Sequence, residues 1–271
     1  MTTAPDPAPS GNSTTAVRRL FVLLCGFEVL PKSVSTRNLG HRFIISCPIS
    51  AYLLDTERGW VLIDTGFDPA NIRDLAAMNA NFFRHGIYPP VVSPEHRLDR
   101  QLEQIGIGLQ DIGHVIITHL HFDHTGYLKY FPHAKVSIQR REHAFGFSGR
   151  TTNANLVSDF DLPSVRWNLV DGDWEVMPGL TMIDTRGHTE GHQSAVVELR
   201  NSGVIVLPFD AGDLQENFDQ EILPGETVDD QAAMAAILRL KDVTTTRNGT
   251  MILFHDPVAI QSTRLSPEYY D

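Results

Sequence analysis

One short stretch limits what this chain can fold into more than any other. The apolar run Val115-Ile116-Ile117 leads directly into Thr118-His119-Leu120-His121-Phe122-Asp123-His124. The run is short and β-branched, as expected of a buried strand. At the end of a strand, side chains two apart still project to one side, so His119 and His121 can converge on one cation. Asp123 and His124 follow once the chain has begun to turn, where they can reach a second cation. Imidazole nitrogen and carboxylate oxygen suit zinc and similar first-row metals. A merely solvated polar turn is the poorer reading, because three histidines fall between positions 119 and 124.

Further candidates stand just past other expected strands. Asp64 opens Asp64-Thr65-Gly66 after Trp60-Val61-Leu62-Ile63. His188 and His192 lie in Gly187-His188-Thr189-Glu190-Gly191-His192, after Leu180 to Ile183. Asp210 follows Val204 to Leu207, and His255 follows Met251 to Phe254. Ligands gathered at strand ends on one edge of a rigid sheet are how a scaffold fixes metal geometry. The expected assignment is His119, His121 and His188 on one metal and Asp123, His124 and His255 on the other, with Asp210 bridging. His192 and Asp64 are read as groups that orient ligands.

The remaining pattern frames these residues. Residues 1–16, rich in Pro, Ser, Thr and Ala, are expected to be a disordered tail, and residues 17–271 one domain. Arg18-Arg19 before Leu20 to Phe27 resembles the start of a signal peptide. Glu28 interrupts the run, however, and a first core strand is the better reading. Residues 71–85 are expected to start as a helix and then become less regular around Phe82 and Phe83, and helices are expected from Ser93-Pro94 to Gly106 and over 229–243, with a short one at 127–131. Residues 145–166 read as a long irregular loop able to cover a substrate. Helices fall between groups of strands, which points to a layered α/β sandwich.

With 271 residues the chain can bury a full core. A net charge of -11 argues against nucleic acid or an anionic membrane as partner. No apolar run approaches the length of a membrane span. Cys25 and Cys47 show no paired spacing and are expected as buried free thiols in a cytoplasmic protein.

Taken together, His119-x-His121-x-Asp123-His124, the upstream Asp64-Thr65-Gly66 and the downstream Gly187-His188-x-x-Gly191-His192 resemble the metallo-β-lactamase superfamily. That resemblance implies an αββα sandwich. Phe209-Asp210-Ala211, Glu216-Asn217-Phe218 and the ending from Phe254 to Tyr269 are further similar to the N-acyl-homoserine lactonases, over nearly the whole chain after the tail. The resemblance implies two divalent metal ions, Zn2+ foremost, and a quorum-quenching hydrolase. It implies attack on a lactone by a metal-bridging hydroxide, with Asp123 relaying the proton. It also places Phe82 and Phe83 in the neighbourhood of an acyl-chain pocket. One departure stands out: where those lactonases carry a Tyr three residues after the bridging Asp, this chain has Asp213, and Gly212-Asp213 resembles the Gly-Asp of related thioesterases, which makes Asp213 a rival bridge to Asp210.

The expected partner is a small lactone or ester, and a homodimer is left open. The alternatives are an esterase, thioesterase or lactonase of the same fold acting on another ring, such as a pyridoxolactone-like one. From a different class, a catalytically silent scaffold would have lost ligands, whereas all seven are present.

Overall fold

The computed structural model describes residues 15–271. The tail expectation therefore falls largely outside the described residues. Thr15 and Ala16 lie within them, and the Ala16 N–H already donates to the Pro178 carbonyl at 2.8 Å.

Two sheets form the centre of the molecule. The first runs in chain order through β1 (Val17–Pro31), β2 (Ile44–Thr56), β3 (Gly59–Ile63), β4 (Ile112–Ile116), β5 (Lys135–Gln139) and β6 (Arg166–Val170). The β1–β2 and β2–β3 pairs are antiparallel; β3 to β6 are parallel. The second holds β7 (Trp174–Met177), β8 (Leu180–Asp184), β9 (Gln193–Leu199), β10 (Gly203–Leu207) and β11 (Thr250–Met251), in the order β11-β10-β9-β8-β7.

Strand periodicity explains how the sheets stack. On β9, Ala195, Val197 and Leu199 join the core between the sheets, while Val196 faces the other way. On β10, Ile205 and Leu207 point inward and Val206 outward. The outward set meets Ala236, Ile237 and Leu240 of the helix Asp230–Thr246, so that helix covers the outer face of the second sheet. Asp229 caps it by accepting from the Ala232 N–H. Leu98 and Leu102 of the helix Leu98–Ile105 are likewise fully buried. The layers are those of an αββα sandwich.

Several expected elements differ in extent. The helix expected from residue 71 starts later, where Asp74 caps Leu75–Asn81 after a 3-10 turn at Pro69–Ile72, and the less regular stretch around Phe82 and Phe83 includes a 3-10 turn at Phe83–His85. The helix after Ser93 starts later, because Pro94–His96 is a 3-10 turn, but it ends at Gly106 as expected, with φ 85°. Strands β6 and β7 lie where none was expected. Most of their side chains are half-buried, so neither shows clean alternation. Residues 145–166 are partly ordered, with a helix at Val157–Phe160 that sets Phe160 in the core.

Residues near the C-terminus finish the first sheet. Leu20 and Tyr270 exchange backbone hydrogen bonds at 2.8 and 2.9 Å, and the Ser266 N–H donates to the Val22 carbonyl. Further along β1, Phe27 and Val91 pair in the same way.

The consequence for function is where the strands stop. Asp64 follows β3, His119 to His124 follow β4, His188 and His192 lie between β8 and β9, Asp210 follows β10, and His255 comes shortly after β11.

Candidate metal centre

These strand ends meet. His119, His121, His188 and Asp210 form one group of convergent donor atoms, and Asp123, His124, Asp210 and His255 form another. Within each group the donor atoms all lie within 4.8 Å of one another, and every member is buried. Asp210 belongs to both. Its Oδ2 lies 3.5 Å from Nε2 of His119 and of His188 and 3.4 Å from Nε2 of His255, while Oδ1 lies 3.3 Å from Nε2 of His124. Asp213 is in neither group, so Asp210 is the carboxylate that the two groups share.

The far side of most of these rings is anchored, which directs the near nitrogen at the centre. Nδ1 of His124 is 2.7 Å from Asp64 Oδ2, Nδ1 of His188 is 2.9 Å from the Glu226 carbonyl, and Nδ1 of His255 is 2.9 Å from the Pro48 carbonyl. Nδ1 of His119 meets Thr118 Oγ1 at 3.1 Å, and that hydroxyl in turn donates to Asp64. Asp64 holds this position at φ 59°, in the left-handed region, at a cost of about 1 kcal/mol. His192 is already committed on both sides: Nδ1 meets Thr185, and Nε2 accepts the Asp210 N–H at 3.2 Å. It holds the Asp210 backbone and has no nitrogen left for a cation.

What the residues lack shows what they fit. Nε2 of His119, Nε2 of His124, Oδ2 of Asp123 and Oδ1 of Asp210 are buried without any hydrogen-bond partner. Unpaired buried polar atoms cost roughly 1–3 kcal/mol each, more when charged, and four aimed at one spot fit a pair of cations. The electrostatics agree. Burial drives the His121 imidazole down to about 3, with His188 adding to the effect, so its lone pair stays free. Burial also opposes charge on His255, but the carboxylates of Asp210, Asp213 and Asp123 together outweigh it and hold the ring up at about 10. Around His124 the carboxylates of Asp123, Asp210 and Asp64 likewise overcome burial and raise its pKa. The second group thus stabilises positive charge, which a divalent ion would supply in place of protons.

The groups open into a cavity of about 310 Å³. Leu30, Val34, Ile87 and Phe122 form an apolar wall, with Tyr88 beside them. The pocket expectation for Phe82 and Phe83 is corrected here, since neither lines this cavity. Phe82 is fully buried one layer behind, packed edge-on against Phe122 with ring centres 5.3 Å apart, and Phe83 is exposed. Asp213 does line the cavity, as does Glu28 of β1. Burial, with neighbouring carboxylates adding, pushes Glu28 up to about 8 and Asp213 to about 6.

One supporting residue has no counterpart in the sequence reading. Glu142 is fully buried and accepts from the Leu120 N–H at 3.1 Å and the Gly191 N–H at 2.8 Å, tying the two histidine-bearing loops together. The available signal was Gly191, whose missing Cβ lets the Glu142 backbone approach to where a Cβ would lie 2.4 Å from its nitrogen. Residues 145–166 contribute as well: the Ala154 carbonyl accepts from the Phe122 N–H, and Asn155 Nδ2 donates to the Leu120 carbonyl.

Comparison with known proteins places this geometry. The sequence pattern of the Metallo-beta-lactamase superfamily matches residues 45–255. The chain is 31% identical to the N-acyl homoserine lactonase AiiA of Bacillus thuringiensis subsp. kurstaki over 253 residues, covering 93% of this chain and 99% of that one. It is 27% identical to the N-acyl homoserine lactonase AttM of Azorhizobium caulinodans, with 93% and 98% covered. Among solved structures, it resembles an N-acyl homoserine lactone hydrolase with N-hexanoyl-L-homoserine bound at its catalytic metal center. That match has a TM-score of 0.85 and 30% identity over 94% of this chain and 100% of the other. Fold, ligand sets and sequence likeness agree, and the chain belongs to the metallo-beta-lactamase superfamily and, within it, to the N-acyl homoserine lactonases.

Proposed function

We propose that this protein is a dinuclear metal-dependent lactonase that opens the ring of an N-acyl-homoserine lactone, and so quenches signalling by such molecules. The observation that carries the reading is the shared position of Asp210 between two ligand groups at the foot of an apolar-walled cavity. His119, His121 and His188 would hold one cation, Asp123, His124 and His255 the other, and Asp210 both. The donor set of imidazoles and carboxylates suits zinc. When bound, two such ions supply a water acidified toward neutrality and a Lewis acid for the ester carbonyl.

The chain's own residues supply the rest. Ile87, Leu30 and Phe122 offer an apolar surface to an acyl chain and keep bulk water from it. Asp123 Oδ2, 3.4 Å from His255 Nε2 and without a hydrogen-bond partner, is placed to carry a proton to the ring oxygen as the ester C–O bond breaks. Water adds to the carbonyl carbon, and the products are a carboxylate and a free hydroxyl on one open chain. The free thiols of Cys25 and Cys47 fit a reducing compartment such as the cytoplasm.

The test is ring opening, followed as acid release, by metal-replete protein over N-acyl-homoserine lactones of increasing chain length. Turnover that a chelator abolishes and added zinc restores is expected. Metal-replete protein that opens none of them would overturn the reading.

A further inference from the structure

His192 and Gln193 are neighbours in the chain, and each grips a different half of the ligand set. His192 Nε2 accepts the Asp210 N–H, on the second sheet's side of the centre. Gln193 reaches the other way, toward the end of β4 in the first sheet. Its backbone N–H donates to the Thr118 carbonyl at 3.2 Å, and its side-chain Nε2 donates to the Ile117 carbonyl at 2.9 Å. Ile117 and Thr118 immediately precede His119. The first sheet holds the same two residues by their other atoms: the Ile117 N–H donates to the Ser137 carbonyl, and the Thr118 N–H to Asp64. Gln193 is itself braced. Its Oε1 accepts from Gln139 Nε2 and from Trp174 Nε1, each at 3.0 Å, and Gln139 makes two further bonds to the Gly172 backbone. The residue is fully buried and lines no part of the cavity. An amide in such a place is costly unless its bonds are made, and an apolar side chain of similar size would fill the same space without that demand.

We propose that Gln193 is a positioning residue that pins the two ligand-bearing sheets in register, fixing His119 and His121 against Asp210. The proposal rests on the dinuclear reading above. The donors of one ligand group come from both sheets: His119 and His121 follow β4 of the first, while His188 precedes β9 and Asp210 follows β10 of the second. Their spacing therefore depends on how the sheets sit on each other, and a ligand set works only when held to within about 0.5 Å. Apolar contact between the sheets is non-directional and sets that spacing loosely. Hydrogen bonds of fixed length and direction set it closely. Gln193 supplies two of them at the root of His119, one residue along from the ring that holds the Asp210 backbone.

Titration of the metal-free full-length protein with Co2+ tests this, because the visible absorption of that ion reports the number and arrangement of its ligands. Gln193→Met should bind at least one cation about 10-fold more weakly than the parent and shift the absorption bands. Gln193→Asn keeps the amide but stops it one methylene short of the Ile117 carbonyl. It should behave in the same way, and it carries the test if Gln193→Met does not fold. Gln139→Met is the control for stability alone. It breaks the bonds to Gly172 but leaves Gln193 tied to Trp174. That variant should unfold at lower urea than the parent while holding Co2+ within a factor of two and with the same bands. Unchanged affinity and bands in the Gln193 variants would overturn the proposal. So would equal weakening in Gln139→Met, since metal loss would then follow stability and not the grip on Ile117. A parent protein that takes up no Co2+ would overturn the dinuclear reading and this proposal with it, whereas normal uptake left unaltered by the Gln193 substitutions overturns this proposal alone.

Discussion

The Asp64 carboxylate stands 2.7 Å from Nδ1 of His124, across 60 residues of chain, and accepts the Thr118 N–H with its other oxygen. Asp64 does not line the cavity, so its influence passes through two imidazoles, His124 directly and His119 by way of the Thr118 hydroxyl. Asp64→Asn should weaken metal binding at the group of Asp123, His124, Asp210 and His255 by about 10–100-fold. Competition against a calibrated chelator measures this, and unchanged affinity would show that the contact is only structural.

Asp210 belongs to both ligand groups, and Asp210→Ala should empty more than one site. Turnover should fall by more than the roughly 100-fold that follows loss of a supporting partner. Metal analysis of the purified variant should find fewer than two equivalents. Full metal content with full activity would contradict the bridging position.

Glu142→Ala leaves the Leu120 and Gly191 N–H groups buried with no acceptor. At about 1–3 kcal/mol for each orphaned donor, the variant should lose about 2–6 kcal/mol in urea unfolding. Glu142→Gln retains one carbonyl oxygen as an acceptor and should lose less. Equal losses from the two substitutions would mean that the hydrogen bonds are not what matters.

Asp159 gives a pH signature away from the metal centre. It accepts from Asn71 Nδ2 at 2.8 Å, and burial pushes its carboxyl from 3.8 up to about 7. A carboxyl whose pKa is raised by folding favours the folded state fully below the unfolded value of 3.8. That advantage is lost as pH rises through about 7. Asp159→Asn should therefore stabilise the protein at pH 8, by about 2–4 kcal/mol, and leave it nearly unchanged at pH 4. Thermal melts of both proteins at the two pH values decide it.

What could be read ahead of the structure divides along physical lines. His119, His121, Asp123 and His124 are close in sequence, so strand-then-turn geometry alone predicts their convergence. His188, Asp210 and His255 were legible because each follows an apolar run long enough to be a strand. Glu142 was not, because its role depends on two backbone N–H groups from loops far apart in the chain. Phe82 shows another limit: an aromatic next to the site has the same sequence signature whether it faces the cavity or backs the residue that does. Here Phe122 takes the cavity side and Phe82 packs behind it. Strands β6 and β7 were hidden for the opposite reason, since half-buried positions blur the alternation by which a strand is read.

The pairing of Leu20 with Tyr270 and of Phe27 with Val91 has a bearing on how copies of this molecule can meet. The outermost strand of the larger sheet offers no continuous row of free amides and carbonyls there, so ladder-like growth from that flank requires the molecule's own ending to peel off first. A fusion joined at the carboxyl end without a spacer would tug on that seam, and clumping during expression is the symptom to watch for.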